Sequence, residues 1–547
     1  MDDTLITTTT ILDVLRRAAA DRPDAQVVRF VGDQDYTAEH LWKRSLRVGQ
    51  AMAGTGLEPG ARVGILVNNR VEFVSAFFGA LAVGCVPVPL NTAQRGAVLA
   101  HMLDLCEISV LIVEDGFVDP IIDVVLAAEH LSTVAVVSNQ TDRDALSERV
   151  TFVDFANWER HLELAVPYPS QPCDLAVLML TSGTTGPSKA IMFAHTTGII
   201  MAAQGCEVWD YKPEDVTYTC LPLFHGNALF CTLIGGLMAG AKVVVGQRFS
   251  ATGFWKEVCE QGATKLSLLG TMHGILFRQP PSVYDRAHTV TRAALVPAPA
   301  GYYTDFEERF GLQITSFYGL TDANMTTGIL PGNAETALTK PTSCGPVLRH
   351  WQVKLVDEFD VEVPVGSVGE MVVRPKLPFT TPLGYFRMPA ETAALWRNCW
   401  IHTGDSFRAD EDGWLYFVDR KKDALRRGGE NISSQEVESV LCRFPGIVDA
   451  AAYAVPSADG EDDVAAAIQV DTSWTGDWEA LLRFCYAELA FFAIPRYFRV
   501  LDALPRTENL KVRKGVLRHE GVVEDMWDRG PGGRRALEQR FATPVAP

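Results

Sequence analysis

Over about the first 330 residues, short apolar or β-branched runs alternate with longer segments whose apolar residues recur at helical spacing. Arg62-Val63-Gly64-Ile65-Leu66-Val67 reads as a buried strand, Val71 to Val83 as the helix that follows, and Val86-Pro87-Val88-Pro89-Leu90 as an extended segment. The cycle returns at Val216 to Cys220 (strand), Asn227 to Ala239 (helix), Lys242 to Val245 (strand), Ala251 to Gln261 (helix) and Lys265 to Leu269 (strand). Such alternation implies parallel sheets covered by helices, because a parallel connection must cross a sheet face. Two cycles predict two stacked α/β lobes.

Between about 340 and 420 the texture changes. Gln352 to Val356 and Gly369 to Arg374 alternate with turn-forming stretches such as Val365-Gly366-Ser367, which predicts a small antiparallel or barrel-like unit. Beyond residue 421 a compact α+β module is expected, with helices at Ser434 to Cys442 and Asp477 to Ala490 and strands near Asp449 to Ala454 and Val464 to Val470. The domains then read as 1–421, 422–520 and a tail over 521–547, where Arg529-Gly530-Pro531-Gly532-Gly533 argues for little order.

Composition narrows the function classes. The 547 residues carry a formal net charge of -18, the wrong sign for displacing counterions from nucleic acid, yet no obstacle to one nucleotide held by a few aimed donors. The eleven cysteines form no C-x-x-C pair, so neither a disulfide framework nor a zinc site is expected and a reducing cytoplasm is the default. The longest apolar stretch, Ala228 to Gly240, is too short to span a bilayer and reads as a buried helix.

The strongest chemical signal is Leu178-Met179-Leu180-Thr181-Ser182-Gly183-Thr184-Thr185-Gly186-Pro187-Ser188-Lys189. An apolar strand runs into hydroxyls and glycines and ends on a lysine. Glycines let the backbone approach a polyphosphate, hydroxyls and amides donate to its oxygens, and the lysine adds a charge. Lys189 stands three residues after Gly186, so the string is not a Walker A loop.

This string resembles the phosphate-binding signature of the adenylate-forming superfamily, and four further blocks follow in that family's order. The overall pattern is closest to the AMP-forming acyl- and aryl-CoA synthetases. Leu221-Pro222-Leu223-Phe224-His225-Gly226-Asn227 is similar to the segment whose aromatic or histidine residue gates the acid pocket. Ser316-Phe317-Tyr318-Gly319-Leu320-Thr321-Asp322 resembles the block in which an aromatic stacks near adenine, a threonine touches phosphate and a carboxylate holds Mg²⁺. The family's glutamate is Asp322 here, one methylene shorter. Upstream, Val296-Pro297 replaces the glycines that usually precede Ala298-Pro299 near adenine. In Trp400-Ile401-His402-Thr403-Gly404-Asp405 and Asp412 to Asp423, Asp405 matches the ribose carboxylate, Phe417 stands near the nucleotide, Arg420 matches the ribose or phosphate arginine, and Lys422 falls on the hinge. Gly428-Gly429-Glu430-Asn431-Ile432-Ser433 resembles the loop that meets the pantetheine arm of the thiol. Leu504 to Lys514 resembles the segment that delivers the catalytic lysine, assigned to Lys511 with Lys514 second, although Leu510 replaces the usual preceding glycine.

The resemblance therefore implies Lys511, Thr321, Asp322 and His225 as the catalytic set. The nucleotide would be bound by Thr181, Ser182, Gly183, Thr184, Thr185, Gly186, Lys189, Ala298, Pro299, Phe317, Tyr318, Gly319, Asp405, Phe417 and Arg420, and the pantetheine arm of the thiol would be met by Gly428 and Gly429. Asp322 and Thr184 would hold Mg²⁺. The implied reaction is ATP-dependent, AMP-forming activation of a small acid, then transfer to coenzyme A as the small domain rotates about Lys422. Two alternatives stay open: another acceptor (a carrier thiol, an amine, or nitrite activation as in diazotisation), and a catalytically silent nucleotide-binding protein. The acid pocket is expected along Trp209 to Pro213, His225 to Leu229, Leu268 to His273 and Tyr318 to Met325, where Asn227 and Asn324 favour a small polar or aromatic acid over a long fatty chain. A homodimer is common in the family, and neither nucleic acid nor membrane insertion is expected.

Overall fold

The alternation of strands and helices resolves into two parallel sheets in a computed structural model, which describes residues 2–137, 149–180, 189–270, 272–299, 301–420, 425–427, 430–456, 462–507 and 512–530. The chain parts into two compact units, Met1–Val353 with Val373–Thr403, and Lys354–Val372 with Gly404 onward. In the first unit a five-stranded sheet has the order Val86–Pro89, Arg62–Leu66, Ile108–Glu114, Thr133–Val137, Thr151–Asp154, all parallel. A seven-stranded sheet has the order Gln313–Thr315, Arg292–Val296, Lys265–Leu269, Val216–Thr219, Lys242–Val245, Gln26–Phe30, Asp35–Thr37. Only its last pairing is antiparallel.

Helix Val71–Ala82 is buried all round except at Glu72, and its apolar residues accordingly cover every face. It packs on helix Ala38–Ala53 so closely that a Cβ on Gly49 would stand 2.7 Å from the carbonyl oxygen of Gly79. Larger residues there would push the two helices apart.

One element departs from the expected form. The segment predicted as a single helix from Asn227 to Ala239 is a π-helix over Asn227–Ile234 that tightens into an α-helix over Gly235–Ala239. Apolar periodicity cannot separate the two, because both bury one continuous face. Single π turns concentrate at functional sites, and this one begins two residues after His225.

Strands Trp351–Val356, Val368–Pro375, Ile401–Ala409 and Leu415–Arg420 form a four-stranded sheet in that order. The C-terminal module is a second four-stranded sheet, Ile447–Pro456, Asp462–Val470, Tyr497–Leu501, Trp527–Asp528, whose core is shared with helices Ser434–Leu441 and Trp478–Glu488. Ser433 caps the first of these helices by accepting from the Glu436 amide. Part of the segment expected to have little order is packed. Trp527 stacks on Trp478 (5.6 Å between centroids), Arg496 pairs with Asp528, and the buried Arg529 donates to the Pro495 carbonyl. Large aromatic area and ion pairs hold residues up to 530 against the sheet, and the Gly/Pro texture beyond concealed this. Among the described residues no helix is long and apolar enough to cross a membrane.

Candidate active site

Four strands of the seven-stranded sheet, Val216–Thr219, Lys265–Leu269, Arg292–Val296 and Gln313–Thr315, run parallel and side by side. Each passes at its carboxyl end into a segment singled out from the sequence: Leu221 to Asn227, Gly270 to His273, Ala298-Pro299, and Phe317 to Asp322. Parallel α/β sheets bind ligands at that end, where loops converge and helix N-termini point. Ser316 Oγ donates to the Leu295 carbonyl (2.9 Å) and Thr315 Oγ1 to the Ile329 carbonyl (2.6 Å), fixing the base of a hairpin made by Phe317–Leu320 and Asn324–Gly328. Thr321 and Asp322 form its partly exposed tip.

The phosphate string is the connection of a second hairpin, Leu175–Leu180 with Ala190–Ala194. Residues 181–188, which include Thr181, Ser182, Gly183, Thr184, Thr185 and Gly186, lie outside the described residues; Lys189 does not. Its ammonium stands 4.4 Å from the centroid of the Tyr385 ring, a cation–π contact. The Tyr385 hydroxyl donates to Asp322 Oδ1. Tyr385 reaches this place because Leu383 and Phe386 bond to Met192 and Ala190, which docks the 383–386 segment along Ala190–Ala194. Burial, and then the Asp322 charge, push the Tyr385 phenol far above its ordinary range, so it stays a proton donor. One aromatic side chain thus joins the lysine of the phosphate string to the candidate metal carboxylate.

Other candidates divide into those facing ligand space and those committed to the scaffold. Asn324, at φ 68°, donates through Nδ2 to the Thr197 and Thr380 carbonyls and accepts from the Met325 amide, so it braces the hairpin rather than offering itself to an acid. Trp209 is fully buried and donates to the Leu266 carbonyl, while Phe317 packs on it at 5.3 Å. These two rings belong to the core, whereas Gly319 of the same block is exposed. His225 precedes the π-helix and packs edge-on against Phe224 at 4.4 Å. Burial lowers the His273 pKa to about 4, so its ring is neutral at physiological pH, with Nδ1 2.8 Å from the Tyr302 hydroxyl.

In the second unit, Asp405 and Arg420 are direct cross-strand partners in the backbone register. Asp405 is buried, and the neighbouring Gly404 amide donates to Glu370. Phe417 meets Phe407 edge to face at 5.5 Å. Lys422, Gly428, Gly429 and Lys511 lie outside the described residues, but Arg506 and Val512 bridge across the segment that carries Lys511. Lys514 is bound to Ser434 Oγ and to Glu438 (2.7 Å), which commits it to the module's interior.

Residues 15–385 match the family model of AMP-binding enzymes, and residues 436–511 match that of the AMP-binding enzyme C-terminal domain. The chain belongs to the AMP-binding enzyme family. It is similar to a medium/long-chain fatty-acid–CoA ligase, FadD6, of Mycobacterium tuberculosis, 29% identical over 94% of this chain and 86% of that one. A crotonobetaine/carnitine–CoA ligase of Salmonella paratyphi B is 27% identical over 85% of this chain and 89% of that one. Among solved structures, the anthranilate–CoA ligase AuaEII with anthranoyl-AMP has a TM-score of 0.85 at 24% identity, covering 94% of this chain and 97% of that one; it bears on the fold alone.

Of the residues gathered at this candidate site, Tyr385 is the one that sequence reading missed. No local spacing marks it. The non-local pairing of the 383–386 segment with Ala190–Ala194 brings it under Lys189, and Gly384 at φ 123° lets the chain turn sharply there.

Proposed function

We propose that this AMP-binding enzyme is an AMP-forming acid–CoA ligase. A carboxylate oxygen of the acid attacks the α-phosphorus of ATP, the bond to the pyrophosphate oxygen breaks, and an acyl-adenylate forms. The sulfur of coenzyme A then attacks the acyl carbon, AMP leaves with the bonding electron pair, and the thiol proton passes to solvent. The Lys189–Tyr385–Asp322 assembly is the observation that carries this reading. It collects a cation for phosphate oxygens and a hard carboxylate at one place, and the first step needs mainly positioning and charge neutralisation.

The residues suit a magnesium ion. Tyr385 bonds one Asp322 oxygen, and the second suits a hard cation. Mg²⁺ held through one or two protein oxygens and substrate phosphates requires no dedicated cage. Asp322 and Thr184 would hold it, and its charge would offset that of the phosphates. Thr321 and the 181–189 string are assigned to phosphates, Ala298, Pro299, Tyr318 and Gly319 to the adenine side, Asp405, Phe417 and Arg420 to the ribose side, and Lys511 to the charge developing at the α-phosphate. Gly428 and Gly429 are assigned to the pantetheine arm. His225 is assigned to the acid pocket, and Lys422 to the hinge between functional domains 1–421 and 422–520.

A panel of acids, nitrite included, incubated with ATP and Mg²⁺ with and without coenzyme A tests this directly. AMP and pyrophosphate in equal amounts, with a thioester product only when coenzyme A is present, is the expected result. AMP release indifferent to coenzyme A, with a new non-thioester product, would overturn the ligase assignment.

A further inference from the structure

Helix His195–Trp209 lies against the hairpin strand Asn324–Gly328. Near its start the Thr197 carbonyl accepts from Asn324, and near its end Val208 would meet a Cβ placed on Gly328 at 2.8 Å. Residues 197, 201, 204 and 208 fall on one stripe at helical spacing, so Gln204 stands over the stretch 325–327. Gln204 is fully buried, and neither its carbonyl oxygen nor its amide nitrogen has a hydrogen-bond partner. At the same level Thr326, the extra residue where the hairpin register shifts, is also fully buried with an unpartnered hydroxyl. Since neither group bonds the other, each calls for a third partner.

The same stripe meets the start of the π-helix. The helix is buried throughout except at Met201 and Glu207, and the Met201 methyl lies 3.1 Å from where a Cβ on Gly226 would stand. Gly226 and Asn227 are partly open as well, and the Asn227 amide is a further buried group without a partner. Leaving such groups unmatched costs about 1–3 kcal/mol each, so folded chains rarely keep three of them without a ligand or water to take them.

We infer that Gln204, Thr326 and Asn227 are the recognition wall of the acid pocket, and that the acid is one with a neutral hydrogen-bonding substituent, a hydroxyl or carboxamide, remote from its carboxylate. This rests on the adenylation reading for which end of the acid reacts. With the carboxylate near the hairpin tip at Asp322, position 326 lies four residues further along the chain, at most about 13 Å by strand rise. That span suits a substituted aryl acid or one of similar length. The wall's three groups are neutral, so they hold a hydroxyl or amide better than a charge, and an unsubstituted alkyl chain would leave them all unsatisfied.

The test uses the full chain and three probes: 3-(4-hydroxyphenyl)propanoate, 3-phenylpropanoate and octanoate. Binding is read by the thermal shift each acid gives with AMP present, and turnover by ATP–pyrophosphate exchange. The hydroxylated acid should give the largest shift and at least a 10-fold higher kcat/KM than its deoxy partner. Gln204→Leu and Thr326→Val should remove that discrimination, chiefly through KM for the hydroxylated acid, while the ligand-free melting temperature stays level or rises. Equal thermal shifts for the two aryl acids, a preference for octanoate, or variants that weaken all three acids alike would overturn the inference. So would a sharp fall in ligand-free melting temperature in both variants, which would mean interior water already satisfies the groups. Discrimination by thermal shift without exchange on any acid would support the wall and refute adenylation, so the two failures are separable.

Discussion

The tip and the shank of one hairpin, Phe317–Leu320 with Asn324–Gly328, treat polarity in opposite ways. At the tip, the Asp322 charge is already answered by the Tyr385 hydroxyl, whose ring is covered by the Lys189 ammonium. Along the shank, Thr326 and the facing helix's Gln204 are sealed from water with nothing to bond. The contrast separates two tasks. Chemistry shared by many acids needs charges preset before substrate arrives; recognition of one acid is stronger when the site's own polar groups are satisfied only by that acid.

The largest expected effect comes from breaking the tip. Asp322→Asn should lower pyrophosphate exchange by on the order of 10²–10³-fold, by the same factor for every acid, because the tip does not see the acid's distal end. A loss that varies with the acid would dissolve the distinction between the two regions. Tyr385→Phe keeps the ring under Lys189 and removes only the bond to Asp322. A hydrogen bond to a charged group is worth about 1.5–3 kcal/mol, so a roughly 10- to 100-fold fall is expected, with a higher Mg²⁺ requirement in equilibrium binding of ATP. Unchanged Mg²⁺ dependence would make Tyr385 a packing residue only.

The smallest expected effect concerns acid stability. Burial lowers the pKa of His195 and His273 to about 4, against about 6.5 when unfolded. Between those values the unfolded chain binds more protons, so the contribution is full above about pH 6.5 and is lost as pH falls towards 4. Melting temperature should drop across that window, and His273→Gln should flatten part of the drop. The His195 Nδ1 accepts from the Ile11 amide at 3.1 Å, which protonation would abolish. A melting temperature flat from pH 7 to 4.5 would contradict the account.

Much of the candidate site could be proposed from sequence because its chemistry is local in the chain. The string ending at Lys189, the Thr321-Asp322 tip and the Asp405/Arg420 strand pair each lie within one or two adjacent elements. What was not legible depends on packing between distant segments. Tyr385 pairs with Ile191 almost two hundred residues earlier, and Gln204 reads in sequence as one polar residue on an apolar helix. Asn324 misled for the same reason: its amide looks available until the Thr197 and Thr380 carbonyls are seen to take it. The two α/β sheets followed from alternation alone, whereas the π-helix at Asn227 and the ordered strand Trp527–Asp528 required tertiary contacts that periodicity does not record.

The central claim is that a carboxylate oxygen of the acid becomes bonded to the α-phosphorus. Its most direct measurement is single-turnover reaction of an accepted acid carrying ¹⁸O in both carboxylate positions, with mass analysis of the AMP released. One ¹⁸O per AMP is the predicted result. AMP free of label, with both heavy atoms elsewhere, would contradict it.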